Sequence, residues 1–184
     1  FRDPWTEVFY NKDLYRSPKA IQKDLTFETK VLQAADGVLT TVAGKLHEQL
    51  KAKAPKQQFH ALPNGYDAQL MQDSKGTKPK ELFHLVYTGL LTQNQAYDSV
   101  LGALNNLADQ QTVRFSLAGT IAPEIIANIQ TALPKVEVVF LGYLSHKEAI
   151  GLMKSAHLLL NFIFEGAQTQ MISGKLLEYM ATGV

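Results

Sequence analysis

In this 184-residue chain the residues best placed to act together chemically lie near the C-terminus, in Ser173-Gly174-Lys175-Leu176-Leu177-Glu178-Tyr179-Met180-Ala181-Thr182-Gly183. Their types and spacing predict a helix. Ser173 suits the N-cap, where a hydroxyl accepts a hydrogen bond from a first-turn N–H. Gly183 suits the left-handed residue that closes a helix. Leu176, Leu177, Met180 and Ala181 recur at helical spacing and predict a buried face. Gly174 leaves the first-turn backbone bare, and Lys175 stands beside it. A bare helix start with a cation next to it is a ready anion site. Glu178 lies one turn further in, where a carboxylate can accept hydrogen bonds from sugar hydroxyls next to a phosphate held at the helix start. The same residues also read as an ordinary surface helix with a solvated Glu178.

Few other residues compete for a chemical role. The five histidines include no H-x-x-x-H pair, which disfavours a metal site. His146 falls in a first helical turn, whereas His60, His84 and His157 lie in or beside apolar segments and read as packed. Glu148 reads as a capping-box partner of Ser145. Glu7 and Glu28 have no partner visible in the sequence. Arg2, Asp3 and Trp5 flank Pro4 and fit either a buried ion pair under an aromatic lid or a cleft wall. Lys51, Lys53 and Lys56 read as a solvated helix end that could touch anionic lipid. Neither G-x-G-x-x-G nor G-x-x-x-x-G-K-[ST] occurs, which disfavours a dinucleotide dehydrogenase or a P-loop NTPase.

Composition narrows the class. Hydrophobic residues at 46% and charged residues at 19% are those of a chain that buries a core. A net charge of +1 argues against a general nucleic-acid binder. The absence of cysteine excludes disulfides and thiolate metal sites. No apolar run reaches the roughly 18 residues of a membrane span. A start at Phe1 and a stop one residue past a helix signal suggest a piece of a longer protein.

The elements that must position the helix at 173–183 alternate regularly. A helix is expected over 25–35, a short strand over 38–42, a helix over 43–53 and a strand over 59–62 that runs into Pro63-Asn64-Gly65. Residues 66–81 lack apolar periodicity and read as a linker. Strands at 83–88, 113–117, 136–141 and 158–162 then alternate with helices at 96–108, from Pro123 and from Ser145. Such β-α repetition with apolar strands implies a parallel, Rossmann-like α/β sheet with helices on both faces. Its ligands bind at the carboxyl ends of the strands. Gly89, Gly119 and Gly142 end three of the strands and would allow a ligand close to the backbone.

With these stretches in place, the chain resembles the retaining GT-B glycosyltransferases of family four, of the bacterial surface-polysaccharide type. The resemblance rests on Glu28-x-x-Val31-Leu32-x-x-Ala35-Asp36-Gly37-Val38, Pro63-Asn64-Gly65-Tyr66-Asp67, Tyr87-Thr88-Gly89-Leu90-Leu91, Leu141-Gly142-Tyr143-Leu144-Ser145-His146-Lys147-Glu148, Gly174-Lys175-Leu176-Leu177-Glu178-Tyr179 and the opening Arg2-Asp3-Pro4-Trp5. It implies that 1–65 end an acceptor domain, that 66–81 link the domains, and that 82–184 are most of a nucleotide-sugar domain.

The resemblance also implies roles. Glu178 would bind the nucleotide ribose, and the amides of Gly174, Lys175 and Leu176 the diphosphate. Gly89 and Leu90 would face the diphosphate from the first strand, and the turn Gly142-Tyr143-Leu144 would hold the base. Two departures stand out. Gln170 occupies the place of a second acid, and Leu91-Thr92-Gln93-Asn94-Gln95 lacks the cations expected there, for which Lys175 could compensate. Arg2, Asp3 and Gln170 are weak catalytic candidates. The implied activity is transfer of a sugar from a UDP- or GDP-sugar to a saccharide or lipid-linked acceptor. It would proceed with retention, without a metal or other cofactor and without nucleic acid, in the cytoplasm or at the inner face of the membrane. A GT-B nucleotide-sugar 2-epimerase and a non-catalytic nucleotide-sugar-binding subunit are the alternatives. The chain alone is expected to be inactive.

Overall fold

A computed structural model describes residues 5–8, 10–11, 14–164 and 172–184. They divide into two compact units, one built by the described residues up to Asn64 with Ile172 and the other by 65–164 and 173–184.

In the first unit, α1 (Pro18–Ala34) starts at Ser17, whose Oγ accepts the Ala20 N–H, with Pro18 in the first turn. The helix therefore begins seven residues before the position that the apolar pattern predicts, because capping chemistry and not hydrophobic spacing marks its start. Strands β1 (Val38–Thr40) and β2 (Phe59–Ala61) pair in parallel, joined by α2 (Lys45–Lys53). Leu32, Val38, Val42, Leu46, Leu50 and Ala54 form the core of this unit.

That core also buries a carboxylate. Glu28 is fully buried and accepts from Thr6 Oγ1 at 2.5 Å and from the Trp5 N–H at 3.2 Å. Its charge is balanced by the ammonium of Lys53, which also reaches Glu7. Lys53 is thus a largely covered counter-ion and not part of a solvated helix end. The pairing joins residues 25 positions apart in sequence and has no local signature. His60, expected as packed, is exposed on β2.

The second unit opens with α3 (Ala68–Asp73), inside the stretch that reads as a linker. Asp67 caps it through the Leu70 N–H, and Met71 is buried against Ile150 and Met153. Strands β3 (Phe83–Thr88), β4 (Val113–Ala118), β5 (Glu137–Gly142) and β6 (Leu158–Leu159) form one parallel sheet in the order β5-β4-β3-β6. Helices α4 (Asp98–Ala108), α5 (Pro123–Ala132) and α6 (His146–Lys154) join them, and α7 (Gly174–Thr182) follows.

Alternate residues of β3 serve opposite faces. Leu85 and Tyr87 pack with Leu101, Leu104, Ile125 and Ile129 of α4 and α5. On the other face, Thr88 meets Met153 of α6 and Tyr179 of α7. The steps β3-α4-β4-α5-β5 move one way across the sheet, and α6 carries the chain back to the far side of β3. The direction of winding therefore reverses between β3 and β6, the place where open α/β sheets leave a crevice at their carboxyl ends. Strand β6 is shorter than its apolar run suggests, although the Leu160 N–H still bonds to the Val86 carbonyl. Among the described residues, no helix is long and apolar enough to cross a membrane.

Candidate functional site

The C-terminal helix is held by one buried residue. The Tyr179 hydroxyl accepts the Thr88 N–H at 3.0 Å and lies 3.2 Å from Thr88 Oγ1 at the end of β3. Burial pushes the Tyr179 hydroxyl pKa up, so it stays neutral at ordinary pH. Tyr179 and not the predicted leucine–methionine face makes this contact: Leu176 is 39% exposed and Met180 is 70% exposed. The phenol outcompetes them because the sheet end offers a backbone N–H that needs a partner. Gly183 closes the helix in the left-handed conformation, as its type predicts. Ser173 sits at the N-cap, but its side chain makes no capping bond. The first two N–H groups, of Gly174 and Lys175, have no intrahelical acceptor, as at every helix start. The Leu176 N–H is directed at the Ser173 carbonyl, 3.0 Å away.

Anchoring Tyr179 places Lys175, one turn earlier, over the end of β3. Its Nζ donates to the Tyr87 hydroxyl at 2.8 Å and stands 4.4 Å from the centre of the Tyr87 ring. Tyr87 in turn donates to the Leu90 carbonyl at 2.5 Å, and Gln95 Nε2 donates to it at 3.2 Å. Burial raises the Tyr87 hydroxyl pKa to about 12, so it remains a neutral acceptor for the ammonium. Burial also lowers the Lys175 pKa to about 8. Among the described residues, no carboxylate forms an ion pair with it.

Gly89, with φ of +119°, makes room for this side chain: a Cβ there would lie 3.1 Å from the Lys175 Cδ and Nζ. The strand-end glycine thus admits a lysine in this structure, where the sequence suggests direct access for a ligand. Gly119, with φ of +121°, abuts the Gly89 carbonyl, 2.2 Å from where a Cβ would stand. The two glycines therefore let adjacent strand ends touch.

The second wall is the turn after β5. Gly142 takes φ of +63° and accepts the Gly119 N–H at 2.7 Å. Tyr143 is 88% exposed, and Leu144 is partly buried. Ser145 then starts α6 with a full capping box. Hydrogen bonds from Ser145 lower the Glu148 pKa, so Glu148 serves as a cap, as its spacing predicts. His146, the first residue of α6, places Nε2 2.9 Å from Glu178 Oε1 on α7. The sequence marks His146 as a first-turn residue near the site and shows no link to Glu178.

The structure thus gathers Gly89, Leu90, Lys175 and, through the His146–Glu178 contact, the turn 142–145 around the carboxyl end of the sheet. The arrangement offers an anion a helix start and an ammonium that has no carboxylate partner among the described residues, and it offers hydroxyls a carboxylate. Arg2, Asp3 and Gln170 lie outside the described residues. Among the described residues, no group of three or more acidic or histidine side chains is arranged to hold a metal ion. Elsewhere, a cavity of about 590 Å³ in the first unit is lined by Gly44, His47, Lys51, Phe59 and His60 among others. Its His47 is already engaged by Thr40 Oγ1.

Comparison with known proteins bears on this arrangement. A family model described as glycosyl transferases group 1 matches residues 83–184. Among solved structures, Anabaena HepE in complex with UDP is similar at 16% identity, with a TM-score of 0.66 over 93% of this chain and 48% of that one. The complex of the same protein with UDP and glucose gives 17% identity and 0.61, over 91% of this chain and 48% of that one. The pneumococcal O-GlcNAc transferase GtfA in complex with UDP and GlcNAc gives 17% and 0.56, over 88% of this chain and 31% of that one. At these identities the likeness is one of fold, that of GT-B glycosyltransferases. The chain spans about half the length of HepE, 48%. No curated protein matches the chain by sequence.

Proposed function

Because the chain belongs to the glycosyl transferases of group 1, we propose that the protein transfers a sugar from a UDP- or GDP-sugar to a hydroxyl acceptor, with retention of the anomeric configuration. The observation that carries this reading is the pairing on α7 of Lys175, a partly buried cation without a carboxylate partner among the described residues, with Glu178 one turn further on. A nucleoside diphosphate complements both: its phosphates meet the ammonium and the Gly174 and Lys175 N–H groups, and its ribose hydroxyls meet the carboxylate.

The chemistry follows from charge. As the bond between the sugar and the β-phosphate breaks, negative charge grows on the leaving diphosphate; the acceptor hydroxyl oxygen forms the new bond to the sugar, and its proton passes to the departing diphosphate. Donors already aimed at that charge lower the barrier because they need no reorganisation. Lys175 is held by Tyr87, and among the described residues no carboxylate neutralises its ammonium before the phosphates arrive. The turn 142–145 flanks the base, with Tyr143 exposed beside it. No metal is needed for this neutralisation in our reading.

Residues 1–65 are then the end of an acceptor domain, 66–81 the connection and 82–184 the donor domain. A lipid-linked or saccharide acceptor in surface-polysaccharide synthesis at the cytoplasmic membrane face fits the motif order in the sequence. UDP in the complexes of HepE and GtfA favours uridine as the base. Calorimetric titration of the full-length protein with UDP and GDP tests the reading. Micromolar binding of one of them, weakened at least tenfold in Glu178→Ala, is expected. Binding of neither, or binding unaffected by the substitution, refutes it.

A further inference from the structure

The 2.9 Å contact between His146 Nε2 and Glu178 Oε1 joins two stretches that lie 32 residues apart. An ionised carboxylate can only accept, so Nε2 carries the proton and donates. Both side chains are partly open to water, with 50% exposure at His146 and 26% at Glu178. Such a pair adds little to stability. Its consequence is geometric. The neighbouring Tyr179 is pinned to Thr88 at 3.0 Å, so the backbone of α7 is fixed and the remaining freedom of Glu178 is in its side-chain torsions. The imidazole removes that freedom and commits Oε1, which leaves Oε2 to a ligand.

Two nearby charged side chains are engaged elsewhere. Glu148 is turned back onto the Ser145 N–H and hydroxyl at 2.9 and 2.6 Å. Lys175 is taken up by Tyr87. His146 also follows the 142–145 turn directly, so a movement of that turn is carried to the carboxylate.

We infer that His146 is a positioning residue that orients Glu178 toward a ribose hydroxyl of the bound nucleotide, and that it couples the 142–145 turn to ribose recognition. The inference rests on the reading of Glu178 as the ribose acceptor given above. Freezing a glutamate side chain before binding removes an ordering cost that the ligand must otherwise meet. Loss of the imidazole therefore weakens nucleotide binding by roughly five- to tenfold through Glu178 alone.

The test is calorimetric titration of the full-length protein with whichever of UDP and GDP binds more tightly, and with the 2′,3′-dideoxy form of that nucleotide. The proteins compared are wild type, His146→Ala, His146→Gln, Glu178→Gln and the double variant His146→Ala/Glu178→Gln. The expected result has four parts. His146→Ala weakens binding five- to tenfold, and His146→Gln, whose amide N–H can take the place of Nε2–H, recovers most of the loss. His146→Ala adds nothing in the Glu178→Gln background, and it has no effect on the dideoxy nucleotide. Unchanged or tighter binding by His146→Ala overturns the inference, as does a penalty that persists in either of those last two comparisons. If Glu178→Gln weakens binding and His146→Ala does not, only the role of His146 falls. If neither nucleotide binds, or Glu178→Gln is silent, the functional reading falls with it.

Discussion

Replacing Lys175 with methionine should stabilise the protein and impair nucleotide binding. The ammonium is held in a site that favours its neutral form, with its pKa lowered from 10.5 to about 8 by burial. That gap of two and a half tenfold steps, at ~1.4 kcal/mol each, sets an upper limit of about 3.4 kcal/mol on the penalty. The side chain retains contact with water, which reduces the figure to about 2 kcal/mol. Methionine keeps the length and the contact with the Tyr87 ring but loses the hydrogen bond to the Tyr87 hydroxyl, about 1 kcal/mol. The net gain is about 1 kcal/mol, or roughly 2–4 °C in melting temperature for a chain of this size.

The pH dependence has a definite sign. Between pH 8 and 10.5 the unfolded chain binds the proton that the folded chain has released, so wild-type stability rises with pH through that window. The penalty is fully present below pH 8, and the advantage of Lys175→Met should shrink as pH approaches 10.5. Thermal melts at pH 7 and 10, paired with UDP titration, measure both effects. The expected pattern is a higher melting temperature at pH 7, a smaller gain at pH 10 and an affinity for UDP reduced at least tenfold. A variant that melts lower at pH 7 and binds UDP as the wild type does would refute the argument that this cation is kept for a ligand against the interest of the fold.

Two further outcomes follow from buried ionisable groups. Lys53→Ala leaves the Glu28 carboxylate fully buried without its counter-ion and should cost about 3 kcal/mol in urea unfolding, with part of the loss restored by adding Glu28→Gln. His84, buried between Ser116 Oγ at 2.8 Å and the Ser155 carbonyl at 3.1 Å, has its pKa lowered from 6.5 by burial. Its contribution is intact above pH 6.5 and is lost as pH falls below that value toward the lowered folded pKa. Urea midpoints measured from pH 7.5 to 5 should decline, and the decline should be shallower in His84→Asn.

Some of these features can be read from the chain and others cannot, for identifiable reasons. The capping box at Ser145 and Glu148, Pro123 opening α5 and the left-handed Gly183 are local devices that depend on a few adjacent residues. Strands 83–88 and 113–118 are buried along most of their length on both faces, and Phe83, Leu85, Val86, Tyr87, Val113, Phe115 and Leu117 mark them in the sequence despite His84, Arg114 and Ser116. The start of α1 escapes the apolar pattern because Ser17 and Pro18 set it by capping. Helix α3 escapes it because only Met71 among its six residues is buried, too few to show a period. On α7 the pattern points to Leu176 and Met180, and the structure buries Tyr179, because the partner that decides the matter is the Thr88 N–H, 91 residues away.

The same distinction holds for the site. The sequence by itself determined the alternation that yields a parallel sheet, the glycines at the strand ends, and a helix start with Lys175 and Glu178 one turn apart, since each rests on local spacing. Only the tertiary structure decided that Lys175 sits on Tyr87 in the space left by Gly89, that His146 reaches Glu178, and that Lys53 neutralises Glu28. These are pairings between residues 25 to 88 positions apart. The first two depend on where the β5-β4-β3-β6 sheet reverses its winding, and the third on how α1 and α2 pack in the first unit; short-range patterning in a chain carries no record of either.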